Sequence, residues 1–196
     1  MYILEDILDT LSARMQDAPS PLITAVDGRC AAGKTTLAAR LGEALGAPVF
    51  HMDDFYLPFA RRTPQRLALP GGHMDSERLE TEILRPAAQG KEIIYRPYDA
   101  HADRLGAETV IAPQKIYIVE GTYCLLPALD GYYGYKIFLT LDEQTQRARL
   151  LEREGEEKLP MFLSRWIPAE EKYFSACSVR QRADAAFDTS QFSPAL

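Results

Sequence analysis

The chain has 196 residues, of which 46% are hydrophobic and 26% are charged, and this balance excludes a disordered polymer. Its formal charge of −6 and its pI of about 5.2 argue against long nucleic acid as a partner, because phosphate backbones are bound by clustered Lys and Arg. The three cysteines lie far apart without metal-ligand spacing, so we expect neither disulfides nor structural zinc. No apolar run reaches the ~20 residues of a membrane span, and no basic leader is recognisable. These features predict one cytoplasmic enzyme domain over residues 1–196.

The first elements in chain order are a helix, a strand, a loop and a second helix. Apolar residues recur at helical spacing within residues 1–18, which predicts an amphipathic N-terminal helix. The β-rich run over 22–26 leads into a glycine-containing loop, and good helix formers then run from Lys34 to Gly46. A second strand, "APVFHM", is expected directly after that helix.

The middle of the chain alternates between irregular and regular segments. Residues 57–75 are rich in Pro, Gly and Arg and lack an apolar period, which predicts a long functional loop. A helix over 76–89 is expected to begin at Asp75 or Ser76 as its cap and to end at Gly90. Residues 92–112 predict two short strands joined by a turn, a β-hairpin excursion.

The remaining strands come from the C-terminal half. "KIYIVEG", residues 115–121, is typical of a central parallel strand buried on both faces, and "YKIFLTL" predicts another. A charged helix over 142–154 opens a lid region assigned to 147–168, a helical stretch surrounds 169–174, and "DAAFDT" predicts a last strand. Alternating strands and helices predict an α/β fold of three layers, with a mostly parallel five-stranded sheet between helices.

The strongest motif is "GRCAAGKT", residues 28–35, which matches G-x-x-x-x-G-K-[ST] between a predicted strand and a predicted helix. Its glycines let backbone N–H groups turn toward phosphate oxygens, and the helix N-terminus adds positive charge. The motif therefore predicts a P-loop nucleoside triphosphate hydrolase fold that binds ATP or GTP, with Lys34 at the β- and γ-phosphates and Thr35 on Mg²⁺. The predicted nucleotide-binding residues are Gly28, Arg29, Cys30, Ala31, Ala32, Gly33, Lys34, Thr35 and Thr36. Because a helix N-terminus lowers thiol pKa values, a reactive Cys30 is a further expectation.

The rest of the sequence indicates where the γ-phosphate goes. The chain contains no asparagine, so the Asn-Lys-x-Asp guanine motif of GTPase switch proteins is absent. The strand "IVEG" ends in Glu120 alone, which can hold Mg²⁺ but supplies no partner to activate water, as a mechanical ATPase requires. The pattern favours an ATP-dependent kinase for a small hydroxyl compound, which needs an acceptor base, cationic groups and a pocket that excludes water.

Two adjacent aspartates in "HMDDFYLP" are candidates for the acceptor base. They follow a strand that should lie near the P-loop, and ligands collect at the carboxyl ends of parallel strands. Neighbouring side chains of an extended chain point to opposite sides, so only one of the two is expected to face the acceptor. We assign Asp53 as the base and turn Asp54 toward the metal's water shell or a lid arginine. His51 is expected to be packed or hydrogen-bonded, and His73 to be exposed.

The cationic groups are expected on the helix that contains "RARLLER". Arg147, Arg149 and Arg153 follow the strand "FLTLD", and the last two are four apart and share a helix face. A helix with several arginines that closes over phosphates would stabilise the charge of the transferring group. At least one of the three is therefore expected to be catalytic.

In this order, "GRCAAGKTT", "HMDDFYLP", "PGGHMD", "YRPYDAH" and "IVEGTY", followed by the arginine-rich lid, resemble the uridine kinase and phosphoribulokinase family of P-loop kinases, in particular its bacterial uridine-kinase-like branch. The resemblance covers residues 22–188. It implies ATP and Mg²⁺ as cofactors, Asp53 as the catalytic base, and Glu120 in the metal site with Thr35 and Asp54. It also implies an acceptor pocket lined by Tyr56, Asp75, Tyr98 and His101.

The expected acceptor is a nucleoside resembling uridine or cytidine. One departure from the family weakens that expectation, because Ala100 stands where uridine kinases usually place a stacking aromatic after "YD". A kinase for another small alcohol, such as a sugar or a pantothenate-like compound, and a regulatory ATPase without a small acceptor are the alternatives. A homo-oligomer is also considered.

Overall fold

The computed structural model describes residues 3–191, and in this range helices and strands alternate as the sequence predicts. The predicted N-terminal helix is present as α1, while residues 1 and 2 lie outside the described range. The helices are α1 Ile3–Asp17, α2 Lys34–Leu45, α3 Pro64–Leu67, α4 Ser76–Leu79, α5 Arg85–Ala88, α6 Glu143–Met161, α7 Ile167–Ala176 and α8 Val179–Arg182. The strands are β1 Leu22–Gly28, β2 Val49–His51, β3 Ile93–Tyr95, β4 Tyr98–Asp99, β5 Arg104–Leu105, β6 Thr109–Ile111, β7 Ile116–Glu120, β8 Tyr135–Thr140 and β9 Ala185–Asp188.

The central sheet confirms the predicted five-stranded parallel arrangement. Its strand order is β2-β7-β1-β8-β9, and every neighbouring pair is parallel. Strand β1 lies in the middle, with all seven residues buried, as expected for a strand covered on both faces. The loop that follows β1 therefore emerges at the centre of the carboxyl edge of the sheet.

Two hydrophobic cores, one on each face of the sheet, confirm the three-layer architecture. Because strand residues alternate between faces, Ile23 and Ala25 of β1 belong to one core while Leu22 and Val26 belong to the other. The first core also contains apolar residues of α4, α5 and α7, and the second contains those of α1 and α2. A third, small cluster packs Cys30 of the P-loop against Leu150 and Leu159 of α6.

Strand β2 occupies a different place from the one that chain order suggests. It pairs with β7 rather than with β1, so one strand separates it from the P-loop strand. Its last residue, His51, stands opposite Glu120, which in turn stands opposite Val26 of β1. The ends of the three strands therefore follow one another along the edge of the sheet.

The excursions from the sheet are more structured than the sequence indicates. The expected loop over 57–75 contains a 3₁₀ turn at Phe59–Arg61 and the short helix α3. The expected hairpin over 92–112 consists of two antiparallel ladders, β3 with β6 and β4 with β5. The helix predicted over 76–89 is present, with a π-helical turn at Glu80–Leu84 between α4 and α5.

Helix α6 contains a break that coincides with the end of the predicted helix over 142–154. Gly155 has φ 79° and ψ 171°, which is not a helical conformation. A π-helical turn at Phe162–Trp166 then joins α6 to α7. Within residues 3–191 no helix combines the length and the apolar character needed to cross a bilayer.

Candidate active site

The P-loop connects β1 to α2, and its two glycines serve different backbone requirements. Gly33 is the N-cap of α2 with φ 89°, a conformation that side chains disfavour. Gly28 has φ 139°, and a Cβ atom there would lie 2.0 Å from the carbonyl oxygen of Leu139 in β8. The first glycine of the motif therefore allows the loop to leave the sheet, and the second allows the helix to begin.

Positive charge is concentrated where this loop meets α2. The Nζ atom of Lys34 donates hydrogen bonds of 2.9 Å to the carbonyl oxygens of Gly28 and Arg29, so the ammonium group is held across the loop. The N-terminus of α2 adds the partial charge of its free N–H groups at the same place. This arrangement suits the phosphates of a nucleotide.

A buried carboxylate that the sequence did not single out supports the loop from below. Asp27 is fully buried and accepts hydrogen bonds from the backbone N–H of Gly28 at 2.6 Å, that of Leu125 at 2.9 Å and the hydroxyl of Tyr173 at 2.7 Å. Burial raises the pKa of Asp27, and these hydrogen bonds oppose the rise. Asp27 thus joins the end of β1 to the segment after β7 and to α7.

The predicted metal ligands Thr35 and Glu120 lie together. The Thr35 hydroxyl donates to Oε1 of Glu120 at 3.1 Å, and Nδ1 of His51 lies 2.6 Å from the same oxygen. The hydrogen bond to Glu120 raises the pKa of His51, so that histidine is hydrogen-bonded as expected. A hydroxyl and one carboxylate suit Mg²⁺, a cation that prefers oxygen ligands and needs few of them from the protein. Within the described residues no group of three or more His, Cys, Asp or Glu side chains could hold a metal ion.

The two adjacent aspartates take different directions. Asp53 lines the cavity beside the P-loop, whereas the carboxylate of Asp54 accepts a hydrogen bond from the Tyr95 hydroxyl and does not line that cavity. The sequence analysis expected the two side chains to diverge because the chain is extended there. They diverge instead because Met52–Phe55 form a 3₁₀ turn. Although solvent reaches the Asp53 side chain, loss of hydration in the cavity, followed by the charge of Glu120, raises its pKa.

One cavity of about 770 Å³ receives the groups described above. It is bounded by the P-loop and α2, the 3₁₀ turn after β2, the end of β7, and the lid elements α6 and α7. Its lining residues include Lys34, Thr35, Asp53, Glu120, Tyr56, His73, Tyr123, Arg149, Arg153, Trp166 and Glu170. Most of the predicted phosphate, metal and base residues therefore open into a common space. The exceptions are Gly28, Arg29, Ala32 and Asp54, and the Arg29 side chain instead pairs with Glu171 at 2.8 Å.

The three predicted lid arginines are placed differently. Arg149 and Arg153 line the cavity, and Nη1 of Arg149 donates to the carbonyl oxygen of Ala31 in the P-loop at 3.2 Å. Arg153 is exposed and paired with Glu154 at 2.8 Å. Arg147 is exposed and is not part of the cavity lining, so the structure does not bring it to the site.

Only Tyr56 of the four predicted acceptor residues lines the cavity. Asp75 is buried as the N-cap of α4, where it accepts from the Arg78 N–H at 3.2 Å and pairs with Arg61 at 2.7 Å. The hydroxyl of Tyr98 bonds Asp103. His101 is exposed in the turn between β4 and β5. The last three side chains are engaged or directed elsewhere in this structure.

Glu170 of α7 contacts the P-loop directly, and no sequence pattern predicts this contact. Its side chain is buried and accepts from the backbone N–H of Cys30 at 3.1 Å and from the Thr122 hydroxyl at 3.4 Å. Burial and the charge of Glu170 raise the pKa of the Cys30 thiol to about 12. The expectation of a reactive, low-pKa Cys30 is therefore wrong, because burial and a neighbouring carboxylate outweigh the helix N-terminus.

His73 also differs from expectation. It is partly buried in the cavity wall rather than exposed, and burial together with the charges of Arg165 and Arg62 lowers its pKa to about 4. Its ring packs at 4.7 Å from that of Tyr123, edge-on. His73 is therefore neutral at pH 7, and with its aromatic neighbours it forms part of the cavity wall.

No family model matches the chain. Solved structures do match it. A possible uridine kinase from Bacillus stearothermophilus aligns over 94% of this chain and 99% of its own, with 22% identity and a TM-score of 0.69. A chain provisionally described as a fructose transport system kinase, from Silicibacter sp. TM1040, aligns over 95% and 100%, with 22% identity and a TM-score of 0.72. Phosphoribulokinase from Rhodobacter spheroides aligns over 91% and 75%, with 14% identity and a TM-score of 0.51. The chain therefore has the fold of the P-loop kinases.

Proposed function

We propose that this protein is a kinase that uses ATP and Mg²⁺ to transfer the γ-phosphoryl group to a hydroxyl of a small molecule. The observation that carries the proposal is the shared cavity of about 770 Å³, into which both the P-loop and the carboxylate of Asp53 open. Phosphoryl transfer depends on holding a hydroxyl in line with a phosphate and on stabilising the charge that develops. The solved structures with this fold support the same class of chemistry.

The groups proposed to hold the phosphates, the metal and the acceptor hydroxyl have separate roles. The P-loop amides and Lys34 bind the β- and γ-phosphates, and Thr35 and Glu120 would hold Mg²⁺, which would supply positive charge to the phosphate oxygens. Asp53 accepts the proton of the acceptor hydroxyl as its oxygen bonds to the γ-phosphorus, and the bond from that phosphorus to the bridging oxygen of ADP breaks. A raised pKa makes Asp53 a stronger base than an ordinary aspartate. Arg149 and Arg153 contribute charge from α6.

The identity of the acceptor is a finer question. The family resemblance implied a nucleoside, but Asp75, Tyr98 and His101, on which that implication relied, do not line the cavity. A nucleoside therefore stands as one candidate beside a sugar-like alcohol. A regulatory ATPase without a small acceptor is the remaining alternative. The cytoplasmic location and assembly into a homo-oligomer stay predictions.

The test measures ADP release by a coupled assay with ATP, Mg²⁺ and a panel of nucleosides, sugars and pantothenate. Release that depends on an acceptor supports the kinase, and release no faster than with water alone supports the regulatory ATPase. Asp53→Asn should keep ATP binding and lower turnover by about 10²- to 10⁴-fold, the usual contribution of a general base.

Asp54→Asn is the matched control for that variant. Asp54 is the adjacent residue, it carries the same charge, and its carboxylate bonds Tyr95 outside the cavity. We expect turnover within a few-fold of the parent. Equal losses in the two variants would contradict the assignment of Asp53 as the base.

A further inference from the structure

We propose that the acceptor is a neutral cyclic polyol, the class of free sugars and cyclitols, held by a box of four aromatic side chains with the Tyr123 hydroxyl as its fixed polar contact. The box consists of Tyr56, His73, Tyr123 and Trp166, all of which line the cavity that also holds Asp53. The inference rests on the proposed kinase function and names the substrate class of that site.

The four rings form one contiguous wall, although they come from four separate segments. The centroid of His73 lies 4.7 Å from that of Tyr123, 5.8 Å from that of Trp166 and 5.9 Å from that of Tyr56. Tyr56, His73 and Trp166 are each partly exposed to the cavity. A ligand pocket of this kind combines apolar walls with a few fixed polar groups.

Tyr123 carries two independent signs of a functional position. Its backbone has φ 80°, a strained conformation for a residue with a bulky side chain. Its side chain is 5% exposed, and its hydroxyl is buried without a hydrogen-bond partner among the described residues. Because a buried polar group without a partner is costly, a ligand hydroxyl that reaches this oxygen would satisfy it.

The polar groups around the box suit an alcohol better than a nucleobase. Two carboxylates, Asp53 and Glu170, can accept hydrogen bonds from ligand hydroxyls, and His73 is uncharged in the wall. The described cavity lining includes no amide side chain, and amides read both donors and acceptors on the edge of a base. Arg165 and Arg62 are close enough to affect His73, but Arg165 stacks on Trp166 and Arg62 on Phe59, and neither lines the cavity.

The site can be tested without turnover, because Trp166 is the single tryptophan of the chain and lies in the box. With a non-hydrolysable ATP analogue and Mg²⁺ present, its fluorescence is titrated with D-glucose, D-fructose, D-ribose and myo-inositol, and separately with uridine and cytidine. We expect a saturable change with at least one polyol. In Tyr123→Phe, which keeps the ring, the dissociation constant of that polyol should rise about tenfold, as expected for one lost hydrogen bond.

Tyr133→Phe is the matched control, because Tyr133 also has a buried hydroxyl without a partner but does not line the cavity. Its polyol affinity should equal that of the parent. The proposal is overturned if none of the four polyols changes the fluorescence, if uridine or cytidine alone does so, or if Tyr123→Phe binds the polyol as well as the parent. Phosphoryl transfer to a nucleoside without any polyol binding would contradict the polyol proposal but agree with the proposed kinase function. Polyol binding without phosphoryl transfer would support the aromatic box as a polyol site but contradict the proposed kinase function.

Discussion

The two ends of the cavity are built in different ways. The proposed phosphate end is one contiguous segment, residues 28–35, which supplies backbone amides, a lysine and the N-terminus of α2. The proposed acceptor end is assembled from side chains of the 3₁₀ turn after β2, the loop before α4, the segment after β7 and the lid. A site formed by the main chain of one segment can therefore be recognised from a short sequence motif. A pocket formed by side chains from several distant segments cannot.

The largest effect should come from the phosphate end. Lys34→Ala removes the cation that spans the loop, so we expect turnover to fall at least about 10³-fold and nucleotide affinity to fall with it. Single-turnover kinetics and a nucleotide-binding titration check both quantities. Lys172→Ala is the control, because that lysine is exposed and bonds only the Ala68 carbonyl. A Lys34→Ala variant with ordinary turnover would remove the distinction between the two ends.

A second test concerns the support beneath the loop. Asp27→Ala leaves two backbone N–H groups and the Tyr173 hydroxyl without their buried acceptor, so the free energy of unfolding should fall by about 3 kcal/mol. Urea denaturation measures the change. Asp142→Ala, which removes the exposed N-cap of α6, should lower the free energy of unfolding by clearly less. Similar losses in the two variants would show that Asp27 is an ordinary capping residue.

The lid arginines offer a paired comparison of smaller size. Arg149 lines the cavity and contacts the P-loop, while Arg147 is exposed and outside the lining. We expect Arg149→Ala to lower kcat/KM by about 10- to 100-fold and Arg147→Ala to leave it unchanged within twofold. Steady-state kinetics in ATP decides between them. A strong loss in Arg147→Ala would restore the arrangement that the sequence predicts for all three arginines.

The smallest effect near neutral pH should be the titration of Asp53. Its pKa is raised, so the carboxylate is lost by protonation at a higher pH than for an ordinary aspartate, whose pKa is about 4. The activity of the base is therefore complete above the raised pKa and declines as the pH falls through it. The acid limb of a kcat/KM profile should lie above pH 4 and should be absent from the residual activity of Asp53→Asn. An unchanged limb in that variant would assign it to another group.

The sequence was sufficient to predict the fold and the loop between β1 and α2. The P-loop match, the apolar strand before Glu120 and the last strand "DAAFDT" all depend on short-range patterns, and each element is present. The insertion of β7 between β1 and β2 was not predictable, because strand order depends on contacts between distant segments. The family resemblance placed Asp75 and Tyr98 in the acceptor pocket, but in this structure Asp75 serves as a helix cap and Tyr98 bonds Asp103.

The cavity residues that the sequence analysis missed are brought to the cavity by tertiary structure. Glu170 and Tyr123 look like ordinary residues of a helix and of a loop, and only the packing of α7 against the P-loop and the strained backbone after β7 bring them to the cavity. Burial reversed the expected low pKa of Cys30 and the expected exposure of His73, because both depend on the folded surroundings.

The close contact at Gly28 has a consequence for how the P-loop signature is interpreted. A methyl group there would collide with the Leu139 carbonyl before any nucleotide arrived, so the position is selected by the spacing of two strands. Gly28→Ala should therefore be destabilised even without nucleotide. Its midpoint of thermal unfolding should be lower than that of the parent whether or not ATP is added. Gly28 belongs to a motif usually associated with ligand binding, but at this position the glycine is required by the packing of β1 against β8.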